Sequence, residues 1–390
     1  MQRRKFLAAA ALAGPLYADA STRIGVIGAG GRGRYLIDQF KEIGAQVSAV
    51  CDVYEPNLQR GLAAAHAGAA SFTDYRKLLD DRSLEAVVIA TPDHWHARMA
   101  IDAVNAGKDV YLEKPLAHTI EEGFALVDAV RRTRRILQVG TQRRSSELFQ
   151  QARPYAQPAE LGNIRLVTSE WFNRQDALST HPLEGHLDWK QWLGSAPQRP
   201  SDALRFFNWY FFWDYSGGLL IGQAAHIVDS IQWYMNSSAP LAVMCTGGRV
   251  NLEGAEVPET ACLAIEYPEN YLATFTIGYK AMRYNPFNDQ LVQFHGSKAR
   301  LDLGRERYTL YRESNAVEMK PEVDVKQPGS FGPATRAHIR NFLECLRTRQ
   351  EPNAPVEVGN STNIVLCMAM ESLRTGRRLR WNAKSRRVEG

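Results

Sequence analysis

The sequence predicts an α/β protein with a doubly wound parallel sheet first and a second α/β domain, largely antiparallel in its sheet, after it. Three observations predict this. Short apolar runs alternate with helical stretches up to residue 145. A Gly-x-Gly-x-x-Gly run joins the first apolar run directly to the first helical one. Beyond Pro240, β-rich segments alternate with Gly, Pro and Asn turns.

Composition agrees. The chain has 390 residues, 45% hydrophobic and 23% charged, which suits two domains that each bury a core. It excludes a disordered chain, a collagen repeat and a disulfide mini-protein. Net charge is +5, of which Arg3, Arg4, Lys5 and Asp19 supply +2. The remainder is small and dispersed, which argues against a nucleic-acid partner. The basic tail (Arg377, Arg378, Arg380, Lys384, Arg386, Arg387) reads as a solvated terminus.

Residues 1–20, MQRRKFLAAAALAGPLYADA, read as a removed signal peptide. Basic residues precede an apolar run from Phe6 to Leu16, and Ala18-Asp19-Ala20 forms a cleavage site. A spanning helix needs ~20 apolar residues, so no membrane anchor is expected. Arg3-Arg4-Lys5-Phe6-Leu7 resembles a twin-arginine signal, which predicts a periplasmic or secreted protein exported folded. Cys51, Cys245, Cys262, Cys345 and Cys367 are odd in number and lack paired spacing. They read as reduced, small buried residues, and no metal site is expected.

The first domain is expected over residues 21–145. Residues 23–27 (RIGVI) form a strand, and Gly28-Ala29-Gly30-Gly31-Arg32-Gly33 opens a helix through Phe40. Gly28 permits the tight turn, Gly30 lets backbone approach a pyrophosphate, and Gly33 lets helix and strand pack closely. The helix N-terminus offers N–H groups to the anion. A second strand, 46–51, ends at Asp52, 24 residues after Gly28. A carboxylate there binds an adenosine ribose and repels a 2′-phosphate, favouring NAD over NADP. Strands at 86–90, 109–112 and 136–139 and helices at 99–106 and 120–134 continue the alternation. Residues 91–96 and Glu113-Lys114-Pro115 fall at strand carboxyl ends, where ligands sit in such sheets.

The second domain is expected over residues 146–390, starting with a strand at 163–171. Residues 172–205 lack periodicity and read as a functional loop holding His181, His186, Asp188, Trp189 and Trp192. Ten aromatics lie between Trp189 and Tyr215, read as shared between core and a sugar-stacking surface. Residues 219–235 are helical by spacing, with His226 and Asp229 on one face. Strands follow at 241–246, 261–267, 271–279, 290–295 and 308–312, and helices at 337–347 and 362–373 close the chain.

Several of these motifs together resemble one family. They are Gly28-x-Gly30-x-x-Gly33, Thr91-Pro92-x-x-x-His96, Glu113-Lys114-Pro115, Gly140-Thr141-Gln142-Arg143-Arg144, and Gly217-Gly218 with His226-x-x-Asp229. Residues 338–355 and Arg374-Thr375-Gly376-Arg377 fit as well. At these spacings they are similar to the glucose–fructose oxidoreductase/inositol dehydrogenase (Gfo/Idh/MocA) family. The resemblance implies a Rossmann domain followed by an α/β domain whose open sheet serves as a dimer or tetramer face. It implies hydride transfer between a nicotinamide and a sugar or polyol carbinol. Lys114 and His226 match the family's catalytic pair. Gly28, Gly30, Gly31, Arg32, Gly33, Asp52, Thr91, Pro92, His96, Glu113, Lys114 and Gln142 are the implied cofactor contacts. Arg143, Trp171, His181, Tyr210, Tyr215, Gln223 and Asp229 are the substrate candidates. One departure stands out. Many members carry an Asp four residues before the His, and here that residue is Gly222.

Lys114 beside a cationic nicotinamide is expected to have a lowered pKa and to act as base, with His226 as the alternative. Export adds a constraint, because no soluble NAD pool lies outside the cytoplasm. The cofactor is therefore expected to be retained and recycled in the site, with a carbohydrate as substrate. The alternative is a redox-neutral NAD-dependent glycoside hydrolase, as in the family's twin-arginine-exported alpha-N-acetylgalactosaminidase branch. A third reading is a non-catalytic sugar-binding protein.

Overall fold

The computed structural model describes residues 22–282, 287 and 289–389. The expected signal peptide lies outside the described residues.

The first sheet is built from β1 (Arg23–Ile27), β2 (Gln46–Cys51), β3 (Ala70–Phe72), β4 (Ala86–Ile89), β5 (Asp109–Leu112) and β6 (Leu137–Val139). Their order is β3-β2-β1-β4-β5-β6, and every pairing is parallel. β4 and β5 are buried along their whole length, as expected when helices cover both faces. The helices are α1 (Gly31–Glu42), α2 (Glu55–Ala64), α3 (Tyr75–Leu79), α4 (Asp93–Asn105) and α5 (Ile120–Thr133). Leu36, Ile37 and Phe40 turn the apolar face of α1 onto the sheet. Thr119 and Glu122 form a reciprocal capping box that starts α5. Strand order reverses between β1 and β4, so the crevice beyond their carboxyl ends is the natural ligand site.

Two local expectations change here. The helix expected over 99–106 starts earlier: α4 begins at Asp93, so His94, Trp95 and His96 stand on its first turn. Pro92, whose ring excludes it from a helix interior, marks that start, and Asp93 suits the positive helix end. α2, β3 and α3 were not foreseen, and the two shorter ones lack the length to display a period.

The chain then runs through α6 (Glu147–Ala152) and α7 (Pro158–Leu161) into the second sheet. Its strands are β7 (Ile164–Phe172), β8 (Ala242–Gly247), β9 (Thr260–Tyr267), β10 (Tyr271–Gly278), β11 (Val292–Gly296), β12 (Ala299–Leu303), β13 (Arg307–Arg312), β14 (Val323–Lys326), β15 (Leu379–Asn382) and β16 (Arg387–Glu389). The order is β14-β13-β12-β11-β7-β10-β9-β8-β15-β16. Only the β7–β10 pairing is parallel among those described. Strand alternation sends Val243, Cys245, Leu263, Ile265, Ala273 and Phe275 into the core on one face. The opposite face leaves Leu166, Met244 and Leu272 exposed.

The remaining helices are α8 (Trp189–Leu193), α9 (Ala203–Phe207), α10 (Gly218–Met235), α11 (Phe331–Thr348) and α12 (Val356–Thr375). α8 and the start of α9 lie in the stretch expected to be loop. α11 and α12 return to the first domain. His338, fully buried on α11, sits 2.8 Å from the Val139 carbonyl oxygen and 2.7 Å from Ser145 Oγ. Arg349 holds Asp109 through two nitrogens at 2.6 and 3.0 Å. The basic tail is not simply solvated: β15 and β16 extend the sheet edge, and Arg378 pairs with Glu266 at 2.7 Å. All five cysteines are free, but Cys262 is exposed and Cys367 only half-buried, so burial does not hold for both.

Candidate active site

Two cavities lie in the crevice, and Arg32, Ala90, Thr91 and Trp209 belong to the walls of both. The smaller, of about 330 Å³, is bounded by the glycine turn, Asp52 and the first turn of α4. Gly28 has φ +87°, and a Cβ there would meet Ala90 backbone at 2.8 Å. A Cβ on Gly33 would overlap the Gly28 carbonyl oxygen, so helix and strand pack too closely for any side chain. A Cβ on Gly30 would meet nothing within 4 Å, because that face opens on the cavity, and Gly31 is equally open. Asp52 accepts the Ala29 N–H at 2.7 Å and the Tyr54 N–H at 2.9 Å, which aims its carboxylate at the same space. Burial pushes its pKa up to about 6, against those two bonds.

The larger cavity, of about 490 Å³, lies beyond β4, β5 and β6 and under α10. His96 clamps two of its loops. Nδ1 lies 2.6 Å from the Pro115 carbonyl oxygen and Nε2 2.9 Å from that of Thr91. Arg32 donates to Glu113 at 2.7 Å, joining the glycine turn to the end of β5. Asp93, fully enclosed, accepts from Ser216 Oγ at 2.6 Å. Gln142, Arg143, Trp171, Tyr210 and Gln223 complete the wall around Lys114 and His226.

Lys114 Nζ donates to the Gly222 carbonyl oxygen at 3.0 Å. Burial lowers the Lys114 pKa from 10.5, against the pull of Glu113 and Asp93. Burial also lowers His226 well below 6.5, with Lys114 and Arg143 adding to it. Its Nδ1 is buried without a hydrogen-bond partner, and its ring stacks at 6.3 Å from Trp171. His226 is thus a neutral imidazole, and Lys114 is easier to deprotonate than a surface lysine. Tyr210, held well above 10 by burial, keeps its proton. A Cβ on Gly222 would overlap the Tyr210 hydroxyl oxygen. Lys114 and Tyr210 therefore meet on one glycine, at its carbonyl and its α-carbon.

Comparison with known proteins settles the family. Residues 22–141 match the family model for an oxidoreductase family with an NAD-binding Rossmann fold, and residues 184–380 match that family's C-terminal alpha/beta domain. This chain belongs to the Gfo/Idh/MocA oxidoreductase family. A Glycosyl hydrolase family 109 protein from Shewanella sp. (strain ANA-3) is 36% identical over 124 residues, 29% of this chain and 27% of that protein. An Alpha-N-acetylgalactosaminidase from Shewanella oneidensis is 35% identical over the same length. The chain thus matches about a quarter of the length of these curated relatives. Among solved structures, the WlbA dehydrogenase of Bordetella pertussis, in complex with NADH and UDP-GlcNAcA, superposes with TM-score 0.71 at 22% identity. That match covers 93% of this chain and 99% of that one. A levoglucosan dehydrogenase, in complex with NADH and L-sorbose, gives TM-score 0.74 at 18% identity over 92% and 98%. These likenesses establish the fold.

The cleft of this Gfo/Idh/MocA member fits the family's NAD. The open Gly30 backbone, the N-terminus of α1 and Asp52 frame the smaller cavity. Thr91 Oγ1, Gln142 Oε1 and His226 Nδ1 are buried without partners on residues of the larger one. Gly28, Gly30, Gly31, Arg32, Asp52, Thr91 and Pro92 line the first cavity, and Arg32, Thr91, His96, Glu113, Lys114 and Gln142 the second.

Three substrate candidates fall outside both walls. Tyr215 is fully buried, 4.7 Å from the Trp192 ring. His181 is exposed, edge-on to Phe207 at 6.0 Å. Asp229 is buried and holds Arg144 at 2.8 Å. The aromatic run also divides differently from the expected core and sugar surface: Trp192, Phe206 and Phe207 line the dinucleotide-side cavity. The stretch carrying them is tied down there by Asp188 N–H to the Val53 carbonyl and Trp95 Nε1 to the Trp192 carbonyl. Gln290, Arg305 and the Ser330–Ala334 turn were missed. They lie more than 250 residues after the glycine motif, Phe331 and Ala334 on the first turn of α11, and no local pattern marks them.

Proposed function

We propose that this chain is an NAD-dependent oxidoreductase that removes hydride from a carbinol carbon of a carbohydrate. The observation that carries the reading is the meeting of Lys114 and His226 on one cavity wall that continues into the glycine-turn cavity. Bound NAD supplies a hydride acceptor. The protein's part is to place the carbinol, exclude water and take the hydroxyl proton. Lys114 Nζ, with its lowered pKa, is the base, and the neutral His226 imidazole can orient the hydroxyl. The protonated Tyr210 phenol supplies a donor where the family's Asp would place an acceptor.

The second reading is a redox-neutral NAD-dependent glycosidase, favoured by the names of the Shewanella relatives. NADH appearing with free sugars supports the dehydrogenase. Nitrophenol release from nitrophenyl glycosides without added nucleotide supports the glycosidase. Arg3-Arg4-Lys5-Phe6-Leu7 and the Ala18-Asp19-Ala20 site support twin-arginine export with retained cofactor. A mature N-terminus at residue 21 in a periplasmic fraction tests it. The exposed Leu166, Met244 and Leu272 on one sheet face support a homo-oligomer, tested by light scattering.

A further inference from the structure

Arg143 is the unusual cation of the larger cavity. It is 8% exposed. Nη2 donates to Gln290 Oε1 at 2.5 Å, while Nη1 is buried with no hydrogen-bond partner among the described residues. The neighbouring arginines each have a carboxylate. Arg32 has Glu113 at 2.7 Å, Arg144 has Asp229 at 2.8 Å, and Arg305 has Asp289 and Glu306 at 3.4 Å. Among the described residues Arg143 has none within ion-pair distance. Its guanidinium instead lies over Phe149 at 5.2 Å and Trp171 at 5.8 Å.

A guanidinium taken out of water without a counter-charge is costly, and such groups are normally paired. Burial brings the Arg143 pKa down to about 10, against the pull of Asp289 and Asp229, which are themselves paired with Arg305 and Arg144, and leaves it charged at neutral pH. The missing partner is therefore an anion brought by the ligand. Its place is defined by Trp171, which has Arg143 over its ring and the His226 ring stacked 6.3 Å away. An anion on this guanidinium thus sits one aromatic ring from the proton-handling end of the cavity.

We propose that the substrate is a carbohydrate bearing an oxyanion, a sugar carboxylate or sugar phosphate, which pairs with the Arg143 guanidinium where it lines the cavity. The inference rests on the oxidoreductase reading above and adds the substrate's charge to it. Guanidinium and carboxylate make strong charge-assisted hydrogen bonds, and Trp171 and Phe149 exclude water around them.

The test is direct binding to the purified wild-type chain carrying NAD, by calorimetry. The probes are glucuronate and galacturonate, their methyl esters, the neutral hexoses and the hexose 6-phosphates. A uronate bound about tenfold or more tighter than its own methyl ester is expected, from the strength of a hydrogen bond to a charged group. Arg143→Gln should erase the preference, and Arg143→Lys should keep part of it. A preference for a hexose phosphate over its hexose, erased by Arg143→Gln, keeps the oxyanion site and assigns phosphate as its source. Equal affinity of wild type for charged and neutral probes, or for none, overturns the proposal without needing a folded variant. So does a preference that survives in Arg143→Gln. Nucleotide content, measured on the same sample, separates failure of the NAD reading from failure of the oxyanion site.

Discussion

The Tyr210 hydroxyl stands where a side chain at Gly222 would begin. The two positions are therefore coupled: this phenol and a side chain at 222 exclude each other. Lys114, bonded to the Gly222 carbonyl, faces a protonated phenol beside that glycine rather than a carboxylate. Gly222→Ala must push Tyr210 aside, and overpacking of this kind costs about 1–3 kcal/mol. The melting temperature should fall by several degrees, and in a Tyr210→Ala background the same change should cost little. Calorimetry of the two single variants and the double gives the coupling. A Gly222→Ala protein as stable as wild type would mean the two residues do not meet.

Lys114→Met and His226→Gln should each lower hydride transfer by about 10²–10⁴-fold, the range of a lost general base, while NAD binding stays near wild type. Activity that needs neutral Lys114 rises with pH through its pKa. Because burial lowers that pKa, the inflection in kcat/KM should lie below 10.5 and vanish in Lys114→Met. A rate still climbing at pH 10.5 contradicts this assignment.

Buried histidines set the acid stability. Burial brings His94 down to about 3 and His338 to about 4, and lowers His226 as well. Each is neutral in the fold and takes a proton once unfolded below pH 6.5. Stability is therefore full above 6.5 and falls as pH drops toward the folded values. The slope is up to about 1.4 kcal/mol per pH unit for each group. Asp52, raised to about 6 in the fold, takes its proton early and offsets part of this. Denaturation midpoints should therefore fall less between pH 7 and 5 in His94→Gln than in wild type, and an identical fall would speak against a neutral buried imidazole.

Asp52 sets cofactor choice. Asp52→Ala removes the carboxylate that repels a 2′-phosphate and frees the Ala29 and Tyr54 N–H groups it now holds. NAD should bind about tenfold more weakly and NADP more tightly, as dissociation constants for both will report. Unchanged selectivity would move the ribose contact elsewhere in the cavity.

The first domain was legible because its signals are local. β1, β2 and β5 have the residue bounds read from sequence, since a strand buried on both faces is a continuous apolar run. Gly28, Gly30 and Gly33 occupy three different environments, each dictated by backbone sterics. The second domain was less legible. Its sheet brings β7 beside β10 and β11 across more than 100 residues, and no short window carries that pairing. His181 was chosen by residue type within the expected loop and Tyr215 within the aromatic run, and type does not say which way a side chain turns. The Gly222 departure was visible in sequence, but the phenol that fills its place came from folding.

The nucleotide content of the purified chain tests the central claim most directly. The protein would be denatured and its released NAD(H) and NADP(H) measured per chain, beside Gly33→Ala, in which a Cβ would overlap the Gly28 carbonyl. About one NAD(H) per wild-type chain and little in Gly33→Ala is the expected result. A wild-type chain that carries no nucleotide and takes up none when NAD is supplied would contradict the NAD-dependent reading.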